Sequence, residues 1–260
     1  MENTDEKVLD ELPILEKLLQ EVINLVDETL HSIKINEKDA FGLMCVSFVI
    51  KQKEHANSIL ILKTRKDVGL IARSMLEGIV LLKWVEKNKK RASRWMAYAW
   101  IEDWRLLRQK DSNGEHIQES SRKEIEIALK KYGERFYNKE AKECKKRSKP
   151  LPDDPYVHNW LGPKLYTIFN DVEESITYGN LYSRFSDWHH WNIKGIGQMI
   201  SRTDQSIKFS TESNIEFASA LSAAFKSLLE TLNIIDKYFS CEQSDRISDL
   251  LNEFCEWFKE

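Results

Sequence analysis

Between Val8 and Ile33 the apolar residues Leu15, Leu18, Leu19, Val22, Val26, Leu30 and Ile33 recur every three or four positions, the spacing of one stripe along a helix. A second helix is expected over about residues 39–62, with Asn36 as its N-cap and Asp39 three residues on. A third runs from about Asp67 to Lys87, and its long apolar run VGLIARSMLEGIVLLKWV is interrupted by Arg73, Glu77 and Lys83. The fourth, RASRWMAYAWIEDWRLLRQK (91–110), sets Trp95, Tyr98, Ile101 or Glu102, and Arg105 along one side. DSNGEH (111–116) is a loop with Asn-Gly as its turn. Residues 120–147 are periodic but strongly charged, with Ile125, Ala128, Leu129 and Tyr132 as one narrow apolar stripe.

LPDDPYVHNWLGP (151–163) holds three of the five prolines and reads as loop. A helical segment follows with Leu165, Ile168 and Phe169, then another over about 173–189. Residues 190–213 read as irregular, and amphipathic helices over about 214–239 and 244–258 close the chain. The pattern predicts an all-α bundle of about eight helices, with the helix at about 67–87 central and buried. A single domain over 1–260 is the expected organisation, with 111–163 as a charged, loop-containing elaboration.

Composition agrees: nine glycines and five prolines are too few for a sandwich or barrel of many tight turns. The net charge of −3 hides an asymmetry, because residues 83–149 carry 20 Lys/Arg against 11 Asp/Glu, which leaves the remainder at −12. A basic middle of this kind suits an anionic partner such as RNA, although charge runs mixed in sign are usually a solvated helical face. The four cysteines and six histidines are scattered without zinc-site spacing. The acidic start MENTDEKVLDELP has no apolar leader, and the longest apolar run is broken by charge. The expectation is a reduced cytoplasmic protein with no membrane span, no cofactor and no dedicated metal.

The third helix carries the first candidate chemistry. Arg73 and Glu77 are four apart and share a face, yet apolar residues surround them. Buried charges occur paired or in use. The pair is therefore either an ion pair holding two helices in register, or a carboxylate kept in low dielectric and tuned by Arg73 for acid–base or metal work. His55, on the preceding helix, could face the same interior. Ser74 and Gly78, also four apart, allow another helix to come close.

LYSRFSDWHHWN (181–192) carries the second. On a straight helix Arg184 and His189 are rotated about 140° apart, so they converge only if the helix ends, kinks or meets a second chain. Tyr182, Ser186 and His189 are spaced four and three apart and share a face. Arg184 and Asp187 can form a local ion pair.

Three segments, ARSMLEGIVLLKWV (72–85), HNWLGPKLYTIF (158–169) and LYSRFSDWHH (181–190), resemble a bacterial family known as domain of unknown function 5677, over about residues 50–195. The resemblance implies an all-α fold and matches Arg73, Glu77, Trp160, Gly162, Tyr182, Ser186 and His189 to the family's recurrent positions; it implies no activity. A second resemblance is to HEPN ribonucleases of toxin and phage-defence systems, whose motif is an arginine, four to six residues, then a histidine; R-F-S-D-W-H (184–189) fits that count. It implies metal-independent RNA cleavage at a site where two chains meet.

Three readings follow. The first is a HEPN-like ribonuclease with Arg184 and His189 at the reaction, supported by Arg73 and Glu77, and with RNA held by the basic 83–149 region. The second is a metal or small-ligand site inside the bundle, built from Glu77, His189 and His55, with Trp160, Tyr182 and Ser186 as ligand-binding candidates. The third is a non-enzymatic dimerising module. Eight tryptophans and eleven phenylalanines, some flanked by charge (Trp95, Trp104, Trp257), predict a homodimer. An inner His189 needs polar partners, so it is expected in a network with Glu77 or Arg73, with His190 toward solvent.

Overall fold

The apolar stripe of the first segment becomes one long helix, α1 (Glu2–Ser32), in a computed structural model that describes residues 2–189, 197, 199–203 and 206–257. Leu15, Leu18, Leu19, Val22 and Val26 are all buried, and Ile23 and Leu25 join them because α1 has neighbours on more than one side. There follow α2 (Ala40–Leu62), α3 (Val68–Glu86), α4 (Lys90–Ser112), α5 (Glu119–Tyr132), a 3-10 turn (Gly133–Phe136) and α6 (Lys139–Lys146). After the proline-rich loop come α7 (Leu165–Asp171), α8 (Ser175–Thr177), a π turn (Tyr178–Tyr182) and α9 (Ser183–His189). Two short strands, α10 (Asn214–Phe239) and α11 (Ser244–Trp257) complete the order.

Two compact units divide the chain, one of residues 1–88 with 165–260 and one of residues 89–164. In the first, α10 lies against α1, α2 and α3, and α3 lies against α2, α7, α9 and α10. The expected central position of α3 is thus shared with α10, whose buried face includes Phe217, Leu221, Phe225, Leu228 and Leu232. Asp39, not Asn36, caps α2: its carboxylate accepts from the Gly42 amide at 3.0 Å, while the Asn36 side chain accepts from Lys38 N in the loop before it. A side chain immediately before the helix can reach the free amides two or three residues on, and Asn36 lies too far upstream.

The close approach expected at Ser74 and Gly78 is taken by α2. Gln52 Nε2 donates to Met75 O at 2.8 Å, in space that a Cβ on Gly78 would invade at 2.7 Å. Lys83, the third charge in the apolar run, bridges Glu174 at 2.7 Å and Glu230 at 2.5 Å. Burial works against its ammonium, yet hydrogen bonds from it to both carboxylates hold its pKa above the usual value.

The second unit is organised by α4. Ala97, Tyr98 and Ile101 meet Phe136 and Tyr156, with Trp104, Leu129 and Tyr132 packed around them. Trp104 is partly buried against this cluster, 5.0 Å edge-on to Tyr156. Arg105 fixes the loop: it donates to Asp154 at 2.9 Å, to the Tyr98 hydroxyl at 3.0 Å and to the Val157 carbonyl at 3.1 Å.

Within the stretch read as irregular, β1 (Ile200–Thr203) pairs antiparallel with β2 (Ser206–Phe209), Ile200 opposite Phe209. Strands of four residues give too few alternations to stand out in sequence. Among the described residues no helix is long and apolar enough to cross a membrane.

Candidate functional site

Arg73 and Glu77 occupy successive turns of α3, and the Arg73 Nε–Glu77 Oε1 distance is 3.3 Å. The pair is half-buried, not enclosed as the all-apolar surroundings suggested. Its third member comes from 105 residues away. The Tyr182 hydroxyl donates to Glu77 Oε1 at 2.7 Å and accepts from Arg73 Nη2 at 2.9 Å, while the guanidinium carbon stands 4.8 Å from the ring centroid. Burial, and then the hydrogen bond to the Glu77 carboxylate with its charge, push the Tyr182 hydroxyl up to about 12. At neutral pH this phenol is a neutral donor to a carboxylate, a bond worth about 1.5–3 kcal/mol.

The backbone brings Tyr182 there through the π turn, one residue more than an α-helical turn, in which Ser183 N donates to Tyr178 O. Such turns recur at functional sites. Polar side chains support it: Ser183 Oγ donates to Tyr178 O at 3.0 Å and Ser186 Oγ to Tyr182 O at 2.7 Å. Tyr178 stacks on Tyr182 with centroids 5.0 Å apart, and Phe169 closes the aromatic group at 5.4 Å from Tyr182.

Other candidates are distributed differently. His55 is turned to Ser74, with Nε2 3.2 Å from Ser74 Oγ, and burial and then the charge of Lys51 lower its pKa. Glu77, held by Tyr182 and Arg73, has a separate set of partners. Trp160 belongs to the other unit, where its carbonyl accepts from Arg94 Nε at 2.6 Å. The backbone of His189 ends α9, but its side chain and all of His190 lie outside the described residues, and with them the expected His189–Glu77 network. Among the described residues no group of three or more His, Cys, Asp or Glu could hold a metal ion.

Arg184 departs from expectation in its partner. Its Nη2 lies 3.3 Å from Glu216 Oε2, from the first turn of α10, and the local pair with Asp187 is not formed. Glu216 is 12% exposed, and a carboxylate so placed gains more from a counter-charge than one in water does. The contact is loose: Arg184 Nε and Nη2 are buried without a hydrogen-bond partner, an arrangement that costs about 1–3 kcal/mol for each stranded donor. Lys66, itself buried, is pushed down by burial and pulled up by the charge of the same Glu216. Sequence reasoning passed over Lys66 and Glu216; the S-N-I-E string at 213–216, a helix-start signature, was the available signal.

The comparison with curated proteins and with solved structures returned no match. A family model described as a family of unknown function (DUF5677) matches residues 43–207, a span that contains Arg73, Glu77, Trp160, Tyr182, Arg184 and His189 and stops short of Glu216. With well over half of its length matched, from α2 to the hairpin, the chain belongs to the DUF5677 family.

Proposed function

We propose that this protein cleaves RNA without a metal ion, in the manner of the HEPN ribonucleases, and that it does so as a homodimer. The observation that carries the reading is the state of Arg184. Its guanidinium meets Glu216 and not Asp187, and two of its donors, Nε and Nη2, are buried there without a hydrogen-bond partner, which leaves it bonding capacity for a phosphate group once the carboxylate yields, in the bidentate way that suits arginine. Strand cleavage through the ribose needs a proton taken from the attacking 2′-hydroxyl, a proton given to the departing 5′-oxygen, and positive charge on the phosphate oxygens as the phosphorus–oxygen bonds exchange. His189 supplies the proton chemistry and Arg184 the charge. Two chains bring two copies of the pair together.

The unit at 89–164 carries 19 Lys/Arg against 12 Asp/Glu, a surplus that supplies phosphate contacts with the polymer. Arg73, Glu77 and Tyr182 hold α9 on α3 and so place the reacting residues. Incubation of single-stranded RNA with the pure protein in excess EDTA tests the reading. Cleavage is expected, and lost in Arg184→Ala and His189→Ala at unchanged helicity; an inert wild-type protein overturns it.

A non-enzymatic dimerising module is the second reading, favoured by the closure of the Arg73–Glu77–Tyr182 group, in which the phenol donates to the carboxylate and accepts from the guanidinium. It predicts a two-chain mass by light scattering together with inertness toward RNA.

A further inference from the structure

Glu216 stands in the third position of α10 behind Ser213, where a glutamate commonly reaches back to the amide of the capping serine. Half of that arrangement exists: Ser213 Oγ accepts from Glu216 N at 3.2 Å. The other half is pre-empted, because Ser213 N donates to Thr64 O at 2.8 Å. The Glu216 carboxylate points inward instead. A Cβ added to Gly69 would lie 3.1 Å from its Oε1 and 3.0 Å from the ring of Phe185, so a larger residue there would crowd both.

Arg184 Nη2 stands 3.3 Å from this carboxylate. The Arg184–Glu216 contact lacks hydrogen-bond geometry, and Nε beside it has no acceptor. A tetrahedral oxyanion, with more oxygens to offer, can satisfy Nε and Nη2 together where Glu216 holds Nη2 by charge alone.

We propose that Glu216 is a built-in stand-in for a phosphate group, and that Arg184 and Glu216 form an exchange site in which an incoming phosphate displaces the carboxylate from the guanidinium. The identity of the anion as an RNA phosphate rests on the ribonuclease reading; the exchange rests on the geometry of these two residues.

Inorganic phosphate, titrated into the full chain at constant ionic strength with thermal unfolding as the readout, tests the exchange. Glu216→Gln keeps the shape and removes the competing charge, so phosphate should bind this variant at least about tenfold more tightly than wild type. Arg184→Ala in the same background should abolish the gain. Should Glu216→Gln fail to fold, Arg184→Lys in the wild-type background serves: it keeps the charge but not the two-pronged grip, and phosphate affinity should fall about tenfold or more. Unchanged or weaker binding in Glu216→Gln, or unchanged binding in Arg184→Lys, overturns the proposal.

A short single-stranded 2′-deoxy oligonucleotide, which cannot be cleaved through its ribose, separates the two sources of phosphate. The same order of variants assigns the site to a polymer, and a response to inorganic phosphate alone assigns it to the free anion. Tighter phosphate binding by Glu216→Gln with no RNA cleavage by wild type overturns the ribonuclease reading and leaves the exchange standing. Cleavage without that gain does the reverse.

Discussion

Tyr182 is where a single hydroxyl joins two helices. Tyr182→Phe removes the donor to Glu77 and the acceptor for Arg73, and should destabilise the protein by about 1–3 kcal/mol, read as a lower denaturant midpoint at constant m-value; an unchanged midpoint would show that the group holds nothing. The raised pKa adds a pH signature. The phenol ionises near the ordinary value of 10.0 when unfolded and at about 12 when folded, so the folded state holds its proton more tightly. This contribution is complete below pH 10 and is lost as pH rises toward 12. Wild type should therefore lose stability faster than Tyr182→Phe across that window, and parallel curves would contradict the assignment. The Arg73–Glu77 pair was legible from sequence, because four residues on a helix fix adjacency. Its partner was not: Tyr182 arrives from another element through a π turn, which breaks the 3.6-residue phase on which face arguments depend. Arg184 was misplaced for the opposite reason, since a neighbour three positions away competes poorly with a buried carboxylate brought in by the fold.

At the scale of elements, α3 is held by small residues on one side and by charge at its end. Gly78→Ala gains about 0.5–1 kcal/mol of helix propensity but drives a methyl against the buried Gln52 amide, and overpacking of that kind costs about 1–3 kcal/mol. A net loss of stability is expected on thermal unfolding, and a gain would mean that Gln52 yields. The long helices were legible because they carry enough turns for their stripe to repeat, as α1, α3 and α10 do. The hairpin at 200–209 and the inward role of Tyr156 were not. The strands are too short to establish a period, and a proline-rich segment reads as surface loop even where Arg105 ties it to the aromatic core of its unit.

For the molecule as a whole, the expected far-UV circular dichroism spectrum is dominated by helix, with the hairpin too small to register. Light scattering at micromolar concentration should return a two-chain mass; a one-chain mass would remove the arrangement that brings two Arg184–His189 pairs together.

The most direct test of the central claim is the initial rate of cleavage of single-stranded RNA in excess EDTA, measured for wild type, Arg184→Ala and Asp187→Ala. The account predicts cleavage by wild type, a loss of about a hundredfold or more in Arg184→Ala, and near-wild-type rates in Asp187→Ala, because Arg184 takes Glu216 and not Asp187 as its partner. Wild-type inertness, or an Arg184→Ala variant as fast as wild type, would contradict it.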